Sequence, residues 1–206
     1  MLDTSMDKVT IYIIHKDLIK DNIEFVSSFV SKKQKEKATK YVYEKDKLLS
    51  YGASFLLKKY LPSEDIKENK NGKPYLDDGP YFNISHSGSY AVLAIHPTRD
   101  IGVDIEKINP ERVDAVKYVL DDIEKKETDS NKLFMMWSNK ESVVKCISSG
   151  LNHIKTVPGL PLEGVRTILN EDYFTKSLVY DAYSLSVTLK GNQPFEYEIN
   201  RINKIN

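Results

Sequence analysis

The feature that most constrains the fold is an order of elements that occurs twice. Short β-branched and aromatic runs, the mark of strands, alternate with long helical blocks, and strand–helices–strands is followed by a second round of the same kind. Residues 9–14 open the first round as a strand, and a helix over 19–30 follows. Ser31 with Gln34 three residues on forms a capping box. It opens a long helix to Tyr60, which Pro62 cannot continue. Asn71-Gly72 signals a turn. Residues 81–85 and 90–95 read as a hairpin linked through the turn formers Ser85 to Ser89. The second round has a strand over 101–106, helices over 111–126 and 131–149 with Gly150 as the stop, then strands over 162–169, 177–180 and 183–189. The seam lies near residues 96–108. The expected fold is α+β, with two similar halves, 1–100 and 101–206.

A chain of 206 residues can bury a sizeable core. Its 30 basic side chains equal its 30 acidic ones, which argues against a nucleic-acid partner and leaves phosphate affinity to local clusters. No stretch is long and apolar enough to span a bilayer. Asp3 and Asp7 stand before the first apolar run, where a secretory signal would place basic residues. Cys146 is the single cysteine, so no intramolecular disulfide exists, and the expected setting is the cytoplasm. In that setting Asn83-Ile84-Ser85 is not read as a glycosylation acceptor.

Three clusters carry chemistry. In the strand over 101–106, Ile101, Val103 and Ile105 face one way, and Gly102, Asp104 and Glu106 the other. The two carboxylates sit roughly 7 Å apart along the strand, with Gly102 leaving open space beside them. A hard divalent cation suits that face; an ordinary solvated strand face reads the same way. In the helix over 131–149, Leu133, Met136, Val143, Val144 and Ile147 share the core arc, and Glu141 and Lys145 lie i, i+4 on its flank beside Trp137. Lys140 projects into the apolar arc, where its amine must meet an anion or snorkel to water. Residues 31–47 hold seven lysines against three acids at a helix N-terminus, which favours a multiply phosphorylated ligand or simply a solvated face. P-loop, dinucleotide, zincin and paired-cysteine motifs are absent. Ser85-His86-Ser87 lacks a nucleophile elbow, Cys146 reads as a small core hydrophobe, and His15, His96 and His153 fall in no motif.

Taken together, the chain resembles the Sfp-type 4′-phosphopantetheinyl transferases. Three blocks carry the resemblance: Asn71-Gly72-Lys73-Pro74 leading to 82–88; Ile101-Gly102-Val103-Asp104-Ile105-Glu106; and Trp137-Ser138-Asn139-Lys140-Glu141-Ser142 with Lys145. The likeness fades after residue 165. It implies coenzyme A in the cleft between two α+β halves related by a pseudo-twofold, and Mg²⁺, or Mn²⁺ in its place, held by Asp104, Glu106 and Glu141. It also implies Ser85 and His86 at the coenzyme's phosphates, Lys73 and Pro74 near its adenine nucleotide, Lys33 and Lys37 at its phosphates, and Lys145 near the transferred phosphoryl group. Many relatives carry an arginine in the long first-half helix to grip the ribose phosphate. Residues 44–54 contain none, and Lys45 or Lys47 stands nearest, without the bidentate fork.

The resemblance further implies a reaction in which a carrier-protein serine attacks the pyrophosphate phosphorus bearing pantetheine and adenosine 3′,5′-bisphosphate leaves. Glu141 would be the general base, directly or through a water on the metal, with Lys145 and His86 adding positive density. The partner would be an acyl or peptidyl carrier protein and the enzyme a monomer. The main alternative is a catalytically inert relative that binds coenzyme A or a carrier. A dedicated fatty-acid holo-synthase is a second, but those chains are shorter half-units.

Overall fold

The computed structural model describes residues 7–148 and 151–205, with the side chains of residues 151 and 152 left aside. The chain is α+β. The elements that build the first sheet are β1 (Lys8–His15), β4 (Tyr81–Ser87), β5 (Tyr90–His96) and β10 (Glu196–Ile202), in the order β10-β1-β5-β4. Between β1 and β4 run α1 (Lys16–Asp21), α2 (Ile23–Phe29), α3 (Lys32–Thr39), α4 (Glu44–Tyr60) and a small ribbon of β2 (Lys67–Glu68) and β3 (Pro74–Tyr75). The second sheet is antiparallel throughout, in the order β6-β9-β8-β7. Its strands are β6 (Ile101–Lys107), β7 (Glu163–Ile168), β8 (Glu171–Tyr180) and β9 (Tyr183–Lys190). Ahead of β7 come α5 (Val113–Lys117) and α6 (Ser130–Ile147). In both rounds the first strand pairs with the last strand of its own hairpin, β1 with β5 and β6 with β9.

Alternation along the strands dictates the layers. Ile11, Ile13, Val92 and Ala94 of the first sheet meet Val103, Ile105, Leu185 and Val187 of the second in one buried cluster between the sheets. The opposite face of the first sheet, with Ile14, Ala91 and Leu93, packs under Phe55, Leu56 and the rest of α4's apolar face. The opposite face of the second sheet lies under α6.

Several expected elements are shorter or differently placed. The helix over 19–30 is two helices parted at Asn22, whose side-chain amide bonds Leu18 O. The capping box at Ser31 and Gln34 is present on both sides, but the helix it opens ends at Thr39. Lys40-Tyr41-Val42-Tyr43 then interrupts it: β-branched and aromatic residues are weak helix formers, and Val42 and Tyr43 lie exposed, with no packing to hold a turn. The stretch 111–126 is helical only in pieces, α5 flanked by single 3-10 turns at Pro110–Arg112 and Glu124–Lys126. Asp121 Oδ1 accepts the Ile123 and Glu124 N–H groups, a local side-chain turn that competes with a helix. The hairpin loop is only Gly88-Ser89, with β4 running on through Ser87. β8 begins at Glu171, earlier than expected, and β10 was not foreseen. The expected stop at Gly150 lies outside the described residues; α6 closes on Ser148, whose left-handed backbone sends its N–H to Val144 O.

Candidate active site

β6 carries the expected alternation. Ile101, Val103 and Ile105 enter the inter-sheet core, which leaves Gly102, Asp104 and Glu106 on the face toward α6. Gly102 does not leave open space there. A Cβ at that position would lie 1.9 Å from Ser142 O and 2.5 Å from Cys146 N, so the glycine lets the backbone of α6 lie directly on the strand. Hydroxyls complete this close approach. Ser138 on α6 bonds Ser184 at 2.5 Å and Ser186 at 2.7 Å on β9, and Ser142 bonds Thr188 at 2.7 Å. Small polar side chains that satisfy one another replace the bulky layer found under most sheet-covering helices. This brings Glu141 and Lys145 over Asp104.

On the other side of β6, the side chains of β4 bond its backbone in register. Asn83 Oδ1 accepts from Val103 N at 3.0 Å, Ser85 Oγ from Ile105 N at 3.3 Å, and Ser87 Oγ from Lys107 N at 3.2 Å. The same hydroxyls donate to the carboxylates: Ser85 to Asp104 Oδ1 at 2.9 Å and Ser87 to Glu106 Oε2 at 2.8 Å. Ser85 is thus turned toward Asp104, and Ser87 is a site residue that sequence reasoning passed over; its signal was the every-second-residue spacing of Asn83, Ser85 and Ser87 along β4. Lys145 Nζ sits at the centre, 2.6 Å from Asp104 Oδ1, 3.0 Å from Ser85 Oγ and 3.8 Å from Glu141 Oε2.

Charge is crowded at this point. Glu106 and Glu141 are each pushed up to about 7, first by burial and then by the Asp104 charge beside them. Burial alone would lower the Lys145 ammonium, but Asp104 and Glu141 outweigh it and hold it above its ordinary value. His86 is lowered by burial and by Lys145. Asp104 is 1% exposed, and its Oδ2 has no partner among the described residues. A bare, buried carboxylate oxygen flanked by two further carboxylates is a donor set that suits a hard divalent cation. Among the described residues, however, no three such side chains stand in metal-holding geometry, and the Lys145 ammonium takes the position against Asp104.

Two cavities meet at His86. The larger, about 450 Å³, is lined by Lys33, Lys37, Lys73, Pro74, His86, Glu141 and Lys145. Lys33 and Lys37 form no ion pair among the described residues, whereas Lys73 bonds Cys146 O at 3.1 Å. The smaller, about 260 Å³, is lined by Lys45, His86, Glu106, Arg112, Phe134 and Trp137. Lys45 therefore faces the second cavity, and neither it nor Lys47 lines the cleft of Lys33 and Lys37. Lys140 meets an anion of the protein itself, the Glu124 carboxylate. It is 1% exposed, 3.0 Å from Glu124 Oε2, and donates to Val157 O at 2.5 Å. Glu124 in turn accepts Gly159 N and Asp121 N, so the pair ties α6 to the loops around it. His96, which falls in no sequence motif, bonds Asp7 at 2.7 Å.

Comparison with known proteins gives the family. Residues 18–98 match the family model described as 4′-phosphopantetheinyl transferase, N-terminal, and residues 100–188 match that of the 4′-phosphopantetheinyl transferase superfamily. The chain belongs to this superfamily. Relatives include the 4′-phosphopantetheinyl transferase gsp of Aneurinibacillus migulanus, 33% identical over 62% of this chain and 60% of its own. The 4′-phosphopantetheinyl transferase of Bacillus subtilis is 36% identical over 49% of this chain and 46% of its own. The human L-aminoadipate-semialdehyde dehydrogenase-phosphopantetheinyl transferase is 28% identical over 59% of this chain and 49% of its own. The chain thus spans about half to three-fifths of the length of these curated relatives. The boundary between the two superfamily matches, residues 98 to 100, falls just ahead of β6 and its carboxylates.

Proposed function

We propose that this phosphopantetheinyl transferase relative moves the 4′-phosphopantetheine arm of coenzyme A onto a serine of an apo acyl or peptidyl carrier protein, releasing adenosine 3′,5′-bisphosphate. One observation carries the reading: a single cleft is lined by Lys33 and Lys37 and also by Glu141 and Lys145, and Lys145 in turn meets Asp104 and Ser85. A ligand that carries several phosphates suits a cleft lined by these cations. Phosphoryl-type transfer asks for positioning and neutralisation more than for covalent help.

In this reading Lys33 and Lys37 meet the outer phosphates, Pro74 packs beside the nucleotide, and His86 and Lys145 face the pyrophosphate. Asp104, Glu106 and Glu141 would hold Mg²⁺, or Mn²⁺ in its place, which when bound supplies charge neutralisation for the pyrophosphate. Glu141, on the α6 flank beside Lys145, would accept the proton of the attacking serine. Lys145, held cationic by its carboxylate neighbours, attracts the non-bridging oxygens of the transferred group. The division into halves at residue 100, a cytoplasmic setting and a monomeric state belong to the same proposal. Among the described residues no helix is long and apolar enough to cross a membrane.

The test is intact-mass spectrometry of apo carrier proteins incubated with the chain, coenzyme A and Mg²⁺, with EDTA as control. A gain of one phosphopantetheine, lost with EDTA, supports both the transfer and the metal. No gain on any acyl or peptidyl carrier, with coenzyme A binding shown separately, overturns it in favour of an inert binder.

A further inference from the structure

The turn from Asn69 to Lys73 belongs to the first half, yet its side chains end on α6 in the second. The turn is internally fixed. Asn69 Oδ1 accepts Asn71 N at 2.9 Å and Lys73 N at 3.0 Å, Gly72 N bonds Asn69 O at 2.9 Å, and Asn69 N bonds Lys73 O at 3.0 Å. Gly72 takes φ +80°, where only glycine is at ease. From this platform Asn71 Nδ2 donates to Ser148 O and Lys73 Nζ donates to Cys146 O at 3.1 Å. The last carbonyls of a helix have no partner within the helix, and a cation there also complements the helix dipole. Cys146 directly follows Lys145, the residue that reaches Ser85 and Asp104. Lys73 is only 13% exposed in its side chain and stands 3.8 Å from Asp100, so its ammonium is committed within the protein.

We propose that Asn71 and Lys73 form a strap between the halves, a pair of positioning residues that fix the C-terminal turn of α6 and so aim Lys145 at the reacting centre. Lys73 lines the cleft but does not serve as a phosphate ligand. The kinetic side of this rests on the transfer reading above; the structural side does not.

The test uses the full chain with Lys73→Met, Lys73→Arg and Asn71→Ala. Coenzyme A Kd is read by calorimetry, kcat at saturating coenzyme A on a carrier protein, and hydrogen exchange at the amides of residues 146–148. Lys73→Met is expected to lower kcat about tenfold while Kd stays within about twofold, as a misaimed group slows chemistry without weakening binding. Lys73→Arg, which retains a donor, recovers most of the lost turnover. The amides exchange faster in both Lys73→Met and Asn71→Ala. A tenfold rise in Kd with kcat unchanged would make Lys73 a phosphate ligand and overturn the strap. So would unchanged exchange, or Lys73→Arg as slow as Lys73→Met. A wild-type chain that modifies no carrier sinks the transfer reading, yet the exchange data still decide the strap.

Discussion

At Asp104 one carboxylate oxygen takes bonds from Ser85 and Lys145 and the other takes none among the described residues. This asymmetry makes the residue a sharp probe. Asp104→Ala and Glu141→Ala are expected to abolish transfer, by at least about a hundredfold, as for other electrostatic groups at a reacting phosphoryl centre. Each should unfold cooperatively, since Lys145 can turn into the cleft. Retained turnover in either variant removes the residue from the machinery. The carboxylates also predict a pH signature. Burial and the Asp104 charge raise Glu106 and Glu141 from an ordinary 4.5 to about 7 in the folded protein. Between those values the folded chain binds more protons than the unfolded one, so stability falls as pH rises from about 4.5 to 7. The lowered carboxylates, such as Asp7, act below that window. Without divalent metal the thermal midpoint should drop across that range, and Mg²⁺ at pH 8 should restore it. A flat midpoint with and without Mg²⁺ would count against a shared carboxylate site. Strand alternation made Asp104 and Glu106 legible in the sequence. Ser87 showed only in the every-second-residue spacing along β4, and the Glu124 partner of Lys140 not at all, because that bond joins residues 16 positions apart.

Among the elements, α6 and β6 set the site. The helix could be read from its apolar arc, but its depth could not, since depth is decided by Gly102 on one strand and by Ser184, Ser186 and Thr188 on another. A Gly102→Ala methyl would meet helix backbone, which cannot rotate away, so a loss of about 3 kcal/mol or more is expected, at the upper end for overpacking. Denaturant unfolding reads this directly, and a loss under about 1 kcal/mol would mean that α6 slides with little resistance. Lys140→Met leaves Glu124, 2% exposed, without its cation. Removing one member of a buried pair costs about 3–5 kcal/mol, so this variant should be unstable rather than selectively inactive. The α3–α4 break was equally hidden. Local propensity in Lys40–Tyr43 is only weakly unfavourable, and the missing packing that lets the helix part there is a tertiary fact.

For the molecule as a whole, the sequence showed a repeat and the structure shows how its two rounds are sewn together. β10 follows the second round along the chain but pairs in parallel with β1 from Lys8↔Glu196 to Ile14↔Ile202. Its neighbour Phe195 is 2% exposed in the cluster between the sheets, with Tyr197 and Ile199 packed against it. Arg99, just ahead of β6, donates to Asp7 at 2.5 Å, to Lys190 O at 2.7 Å and to Gln193 O at 3.1 Å, which closes the same seam. A strand that returns across the whole chain leaves no periodicity of its own to mark its destination. Its pairing has a thermodynamic consequence: the two sheets share one core and should unfold as one unit. Trp137, the single tryptophan, sits on α6 and reports the second sheet by fluorescence, while far-UV circular dichroism reports both. In the intact chain the two urea transitions should coincide. Deleting residues 194–206 removes Phe195 and bares the β1 edge, a loss comparable with a typical stability of about 5–15 kcal/mol. Phe195→Ala, the milder change, should cost about 3–5 kcal/mol and keep the transitions together. If the truncated chain keeps a coincident, unshifted transition, β10 is not the seam and the two sheets are coupled elsewhere.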